Sequence, residues 1–397
     1  MKKNAIALAI GALCVAPAAQ AQVVFGNEAI GTVQFYGKLY PQVTSASTSG
    51  ASEAGDSAAT LQDPASFTGE NPRSRVSVDS NNSYLGFRGE RKLGSTGLKG
   101  IWQIEQAIEI DTGNEDATFS NRNSFLGLAG GFGTVKLGHM DTIYKEFGAV
   151  VGMFGITSGN WMSPSEVLSK IPYNTRGSFH VRAANSIQYL SPEFGGVQFG
   201  AQYSPDEERT DTRDQELWSF GVKYEAGPLY VSLQHEIHKD ALVAARDTPF
   251  AGGTDSKDQA TRLSATYKLG NHKLAADIGQ LKWSESGGDV DEYKHITWDV
   301  GVESKWGGPW RTSLLYVQAQ EGSCSLTAGG DCDTNGLKAQ MVALGVAYDL
   351  DKQTFLYGVV GKLINGTSSV YNNLQPDVDI APGTDITQVS LGMSYRF

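Results

Sequence analysis

The chain has 397 residues, a formal net charge of −11 and only 19% charged residues. An acidic chain lacks the basic footprint of a nucleic-acid binder, and 40% apolar residues exclude disorder. Past the first twenty residues no long charge-free run is convincingly apolar, which argues against a helical membrane protein. A soluble globule and a membrane β-barrel both remain.

At the N-terminus Lys2 and Lys3 precede an apolar run from Ala5 to Ala16, and Ala19-Gln20-Ala21 supplies a small-x-small site. That order predicts a secretory signal peptide over residues 1–21, cleaved after Ala21. Cys14 lies inside it, and Leu13 is too large for a lipoprotein site. The mature chain is then a single domain over residues 22–397, and loss of Lys2 and Lys3 moves the charge from −11 to −13. Export leaves Cys324 and Cys332 in a Gly/Ser/Asp-rich stretch. In an oxidising compartment such a pair predicts a disulfide closing a small surface loop, and a zinc site lacks further ligands.

From Thr32 to Val43 the odd positions (Val33, Phe35, Leu39, Val43) are apolar and most even ones (Thr32, Gln34, Lys38, Gln42) polar. Successive side chains of a strand point to opposite faces, so this period of two predicts a two-faced strand. The pattern recurs at Trp218, Phe220, Val222 and Tyr224, at Leu263, Ala265, Tyr267 and Leu269, and at Val389, Leu391, Met393, Tyr395 and Phe397.

Connections alternate in length. Gly130 to Gly133, Ala226-Gly227, Gly270-Asn271, Trp306 to Pro309 and Leu350 to Lys352 have tight-turn compositions. Thr44 to Pro72, Lys239 to Ala260, Gly322 to Leu337 and Ile364 to Gly383 are long and polar. Counting segments between them yields about sixteen strands, the pattern of an all-β antiparallel transmembrane barrel with short periplasmic turns and long outer loops. Closure is required there, because an unpaired edge in lipid leaves backbone groups unsatisfied. Tyr348, Phe355 and Tyr357, grouped at one short turn, are expected in an interfacial aromatic girdle.

Two stretches are more specific. Ser83-Tyr84-Leu85-Gly86-Phe87-Arg88-Gly89-Glu90, with Gly97 to Glu105, resembles the second hairpin of Gram-negative general porins. So does Asn121-Arg122-Asn123-Ser124-Phe125-Leu126-Gly127-Leu128 with Phe132 to His139, and so does Asn185 to Pro192 with Phe194-Gly195-Gly196. The chain ends in Tyr395-Arg396-Phe397, like porins whose terminal aromatic is read by the barrel-assembly machinery. The resemblance is closest to β-proteobacterial porins, and departs from them at His139, where the family often has Arg.

This resemblance implies a 16-stranded barrel in the outer membrane, assembled as a homotrimer among lipopolysaccharide, passing ions and small hydrophilic solutes without a cofactor. It also implies a third loop, about 141–182, folded into the lumen. Its carboxylates Asp141, Glu146 and Glu166 are candidates for the acidic side of a constriction. Strand parity puts Lys38, Arg88, Lys99, Arg122 and Lys136 on the polar face, with Arg73 and Arg75 near a loop end, as candidates for the basic wall. Facing rows of opposite charge set a transverse field that filters solutes. The acidic mature charge gives only a weak lean toward cations, since much of it lies in outer loops.

Enzyme motifs are weak. His235-Glu236-Ile237-His238 is not the zincin spacing, and on a strand its histidines face opposite sides. No Gly-x-Ser-x-Gly elbow or phosphate-cradling loop is present. The alternatives to a general diffusion channel are a substrate-selective sugar or anion porin and a plugged adhesin or structural barrel. The apolar loop residues Phe147, Met153, Phe154, Trp161 and Met162 are what favour the selective porin.

Overall fold

The computed structural model describes residues 23–27, 30–53, 56, 59–61, 71–113, 119–148, 152–155, 163–173, 179–211, 214–240, 256–284, 289–374 and 378–397. The cleavage after Ala21 lies outside these residues, as do Trp161 and Met162.

Alternating apolar and polar residues make strands here, and every described strand joins one antiparallel sheet that closes on itself. The first wall strand is β2 (Gly31–Leu39) continued by β3 (Gln42–Ser49), with a break at Tyr40-Pro41. Proline has no N–H to give to a ladder, so the break falls there. The second is β4 (Arg75–Asp79) continued by β5 (Tyr84–Lys92). Next come β6 (Lys99–Ala107), β7 (Ser124–Gly130), β8 (Gly133–Asp141), β9 (Arg182–Leu190) and β10 (Val197–Ser204). They are followed by β11 (Glu216–Ala226), β12 (Leu229–Lys239), β13 (Lys257–Leu269) and β14 (His272–Ser284). The wall ends with β15 (Val290–Lys305), β16 (Trp310–Ala319), β19 (Ala339–Asp349), β20 (Thr354–Asn365) and β21 (Asp385–Arg396).

Counting β2 with β3 and β4 with β5 as single strands leaves a barrel of sixteen. It closes where β21 pairs β3 from Asp385↔Ser49 to Gly392↔Gln42 and β2 at Lys38↔Arg396. Phe397 and Gly37 exchange both backbone hydrogen bonds beside that seam. The short strand β1 (Val23–Asn27) pairs β2 below it. In the seventh loop, β17 (Ser323–Leu326) and β18 (Asp331–Cys332) bring Cys324 opposite Cys332, and the two are disulfide-bonded.

Outward side chains such as Leu126, Leu137, Phe199, Leu263 and Leu391 are exposed and form the apolar belt. Their inward neighbours are polar or covered by loops. Two expectations change. The first long connection starts after Ser49, because Thr44 to Ser49 pair as β3. Phe355 and Tyr357 are buried inside the barrel, where they pack on Tyr40, whereas Tyr348 is exposed on the outer face. Parity explains the split, since odd positions of β20 point inward.

The third loop runs inside the lumen. Its helix Ile143–Gly148 lies on β10 to β13, where Gly200 and Gly221 leave room for Ile143 and Phe147. A Cβ at Gly221 would stand 2.8 Å from Ile143 Cγ2 and 2.9 Å from Phe147 Cδ2. Gly221→Val should therefore lower the barrel's melting temperature in detergent, with a cost of about 1–3 kcal/mol for overpacking. An unchanged melting temperature would show that the loop is not seated on this strand.

The eighth loop also folds inward, although its length and polar composition are those of an ordinary outer loop. Val370, Tyr371, Leu374 and Ile380 are buried against Met341, Leu363 and Ile386. Ala59 and Leu61 of the first loop join a second cluster with Tyr173, Trp283 and Tyr293.

Candidate functional site

The inner wall divides into a covered and an uncovered half. The third-loop helix packs on β10 to β13, and its later turns, Met153–Gly155 and Ser165–Leu168, pack on β15, β16 and β19. That leaves β2, β5 to β8 and the C-terminal end of β21 facing the passage.

Backbone carbonyls of the loop are tied to the wall one after another. Phe147 O accepts from Tyr230 Oη (2.7 Å) and Ser232 Oγ (3.1 Å). Gly148 O accepts from Arg262 Nη2 (2.8 Å), Gly152 O from Lys273 Nζ (3.1 Å) and Leu168 O from Thr297 Oγ1 (2.9 Å). In the other direction, Tyr144 N donates to Ser219 Oγ and Phe154 N to Glu303 Oε2. Phe154 holds a left-handed backbone, φ 55°, that non-glycine residues adopt at some cost. Arg311, bound through two nitrogens to Asp349, sits 5.2 Å from the Phe154 ring and 4.6 Å from that of Phe355. A cavity of about 630 Å³ opens at the short-turn end, between the loop tip and Arg311, Asp349 and Arg396.

Most of the sequence-nominated cations lie on the uncovered wall. Lys38 is buried, with its ammonium 4.7 Å from the Tyr40 ring centre and 5.9 Å from that of Tyr84. Arg88 lies over Tyr36 (4.7 Å) and donates to Gln34 (2.6 Å). Arg122 lies over Tyr84 (4.8 Å), pairs with Glu105 (2.5 Å) and donates to Asn82 (2.7 Å). Lys136 donates to Gln188 (2.9 Å). Lys99 sits near the short-turn end, paired with Glu90 (2.9 Å). Arg75 shares the inner face of β4 with Ser77 and Asp79, while Arg73 is exposed just before that strand.

The loop carboxylates are not arranged as one free row. Asp141 is bound by Lys145 (3.1 Å), Arg182 (3.0 Å) and Asn123 (3.0 Å). Glu166 is paired with Lys170. Glu146 is exposed and accepts from Gln188 (3.4 Å). Burial pushes the Lys145 ammonium below its usual value, although the Asp141 carboxylate opposes this. Burial likewise raises the Tyr144 hydroxyl. His139, half-buried at a register shift between Gly138 and Met140, stands near Arg182 and Asp141.

Three partners are not evident from the sequence. Arg182 begins the strand after the loop and is brought against Asp141 by the β8–β9 pairing. Glu105 receives both Arg122 and the Tyr36 hydroxyl (3.0 Å). Arg396 lies directly opposite Lys38 on the neighbouring strand. Parity alone placed Arg396 on the inner face, but its cross-strand partner needs the closing register. At the same terminus Tyr395 is exposed outward, and the Phe397 ring packs on Phe35 at 5.2 Å.

The family model for Gram-negative porins matches residues 5–368. Outer membrane porin protein 32 of Delftia acidovorans is 29% identical over 330 residues, spanning 79% of this chain and 84% of its own length. Major outer membrane protein P.IA of Neisseria meningitidis serogroup C is 26% identical over 361 residues, 82% of this chain and 84% of its own. Among solved structures, the anion-selective porin from Comamonas acidovorans superposes with a TM-score of 0.70 at 24% identity, covering 92% of this chain and 99% of that one. Salmonella typhi OmpF follows the same fold at a TM-score of 0.62 and 19% identity, over 94% and 100%. These relatives are channels, not enzymes. A closed barrel with a charged lumen, a loop pinned inside it and a family match along most of its length make this chain a member of the Gram-negative porin family, an outer-membrane diffusion channel.

Proposed function

We propose that the chain works as a homotrimeric general diffusion porin whose constriction favours small anions over cations. One observation carries the preference. Lys38 and Arg396 face each other across neighbouring strands, and neither has a carboxylate ion-pair partner among the described residues. Glu105 and Asp141 are already held by Arg122, Arg182 and Lys145, so the positive charges on this wall outweigh the negative. A net positive lining raises local anion concentration and repels cations. The anion selectivity of the Comamonas acidovorans porin supports the same reading, against the weak cation lean taken from total charge.

A sugar-selective slide is less well supported, because Phe147, Met153 and Phe154 are buried against the wall and not along the passage. Residues 1–21 are taken as removed on export, leaving a single domain over 22–397. Tyr395 and Phe397 are taken as the signal read by the assembly machinery, and lipopolysaccharide as the lipid around the outer half of the barrel.

The test is reconstitution in planar bilayers with a KCl gradient. The expected result is three-step openings and a reversal potential on the chloride side. A potassium-side potential would overturn the anion preference, and no conductance at all would favour a plugged barrel.

A further inference from the structure

Among the described residues, four arginines of the inner wall lie over aromatic rings: Arg88 on Tyr36, Arg122 on Tyr84, Arg262 beside Tyr144, and Arg311 on Phe154 and Phe355. Three are tied to carboxylates. Arg122 holds Glu105, Arg262 holds Asp277, and Arg311 holds Glu303 and Asp349. Arg88 differs from them. It is exposed and has no ion-pair partner among the described residues, and its one hydrogen bond runs from Nε to Gln34 Oε1 at 2.6 Å.

Its neighbours keep it so. The residues directly opposite it on the flanking strands are Gln34 and Gln103, both neutral. The carboxylates next along the same face already have partners. Glu90 holds Lys99 at 2.9 Å, and Glu105 accepts from Arg122 and from the Tyr36 hydroxyl. The terminal amino groups of Arg88 are therefore open to a ligand in the passage.

The ring beneath Arg88 is fixed as well. Tyr36 is 8% exposed and lies against the backbone at Gly86, where a Cβ would stand 2.8 Å from its Cζ and Oη. Its hydroxyl is anchored on Glu105, and its ring meets that of Tyr84 edge-on at 6.1 Å. The Arg88 guanidinium carbon stands 4.7 Å from the centre of this immobile ring. At this height the wall is layered as backbone, ring, guanidinium and then water. A guanidinium is planar, weakly hydrated and stacks on aromatic faces, and its N–H groups match a carboxylate. An ammonium group has no such face.

We propose that Arg88, held on Tyr36, is a docking plate for aromatic carboxylates, so that the channel favours a planar aromatic anion over a saturated one of equal charge and similar size. The anion's ring lies on the outer face of the guanidinium as Tyr36 lies on the inner one, and its carboxylate reaches the N–H groups at the rim. The proposal rests on the anion preference above and names the class of anion that gains most from it. Sugars meet no comparable surface, because Tyr36, Tyr84 and Phe125 are covered by Arg88, Arg122 and Lys136.

The experiment is block of chloride current through the full-length refolded protein in planar bilayers. Potassium benzoate or potassium cyclohexanecarboxylate is added to KCl at neutral pH, where both are ionised. In the wild type, benzoate should halve the current at a concentration roughly fivefold lower than cyclohexanecarboxylate. In R88K, which keeps a charge but loses the plane, the two anions should block alike. Y36L, which removes the supporting ring, should also bring the ratio toward one. Y36F keeps the ring and should retain the wild-type ratio, which separates stacking from the hydroxyl's bond to Glu105. Channel openings in KCl alone show that each variant has folded. Equal block by the two anions in the wild type, or a fivefold ratio that survives in R88K, would overturn the proposal. The anion reading is tested apart from it, since a potassium-side reversal potential in KCl with the benzoate preference intact would overturn that reading alone.

Discussion

Arg262→Met should loosen the third loop and destabilise the barrel by about 3–5 kcal/mol, the cost of removing one partner from a buried ion pair. Arg262 is 3% exposed and binds Asp277 through Nε (3.0 Å) and Nη2 (2.6 Å). The same Nη2 reaches Gly148 O on the loop, and the guanidinium lies 5.8 Å from the Tyr144 ring. Asp277 stands directly opposite Asp299 on β15, so the arginine is the cation beside two buried carboxyl groups. Without it, the two buried acids lose their neighbouring cation and the loop carbonyl loses its donor. The readouts are the temperature of barrel unfolding in detergent and the noise of single-channel records, which should rise as the loop fluctuates. Adding Asp277→Asn should recover part of the lost stability, since the stranded charge is removed. A variant that melts like the wild type and conducts quietly would show that Arg262 does not fasten the loop.

How far the sequence could be read depends on which face of each strand was covered. Trp218, Phe220, Val222 and Tyr224 alternate with Ser219, Gly221, Lys223 and Glu225, and β11 turns the aromatic set outward as its period requires. Lys38, Arg88 and Arg122 were legible for the same reason, since a cation on a two-faced strand avoids lipid at a cost of roughly 2–4 kcal/mol. In β20 the signal fails. Phe355, Tyr357, Val359 and Leu363 point inward, while Leu356, Val360 and Ile364 point outward. Both faces are apolar because the inward-folded eighth loop covers the lumen side, so Phe355 and Tyr357 look like girdle residues. The pairing of Asp141 with Arg182 was hidden for another reason. The two lie at opposite ends of the third loop, and only the β8–β9 register brings them together.

Reversing the charge of Lys38 and Arg396 together, as K38E/R396E, should turn the channel from anion- to cation-preferring. The two face each other where β2 meets β21. Arg396 also reaches the loop tip, where its Nη2 lies 2.8 Å from the position a Cβ would take on Gly155. Arg396 therefore lines the gap between the loop tip and the wall, with Lys38 opposite it on the neighbouring strand. A unit charge at about 4 Å contributes roughly 1 kcal/mol even with the dielectric of water, a factor of about five in relative permeability. The double reversal exchanges two basic side chains for two acidic ones. The chloride-to-potassium permeability ratio should consequently fall by more than roughly tenfold and cross unity. Glu105 and Asp141 are held by their own cations and cannot compensate. The fold should survive, because the exchange replaces one like-charged cross-strand pair with another. Reversal potentials measured at low and high KCl provide the check. The shift should shrink at high salt, where the Debye length falls to about 3 Å. A ratio that stays on the chloride side in both conditions would place the selectivity elsewhere on the wall, with Arg88, Arg122 and Lys136 the next residues to reverse.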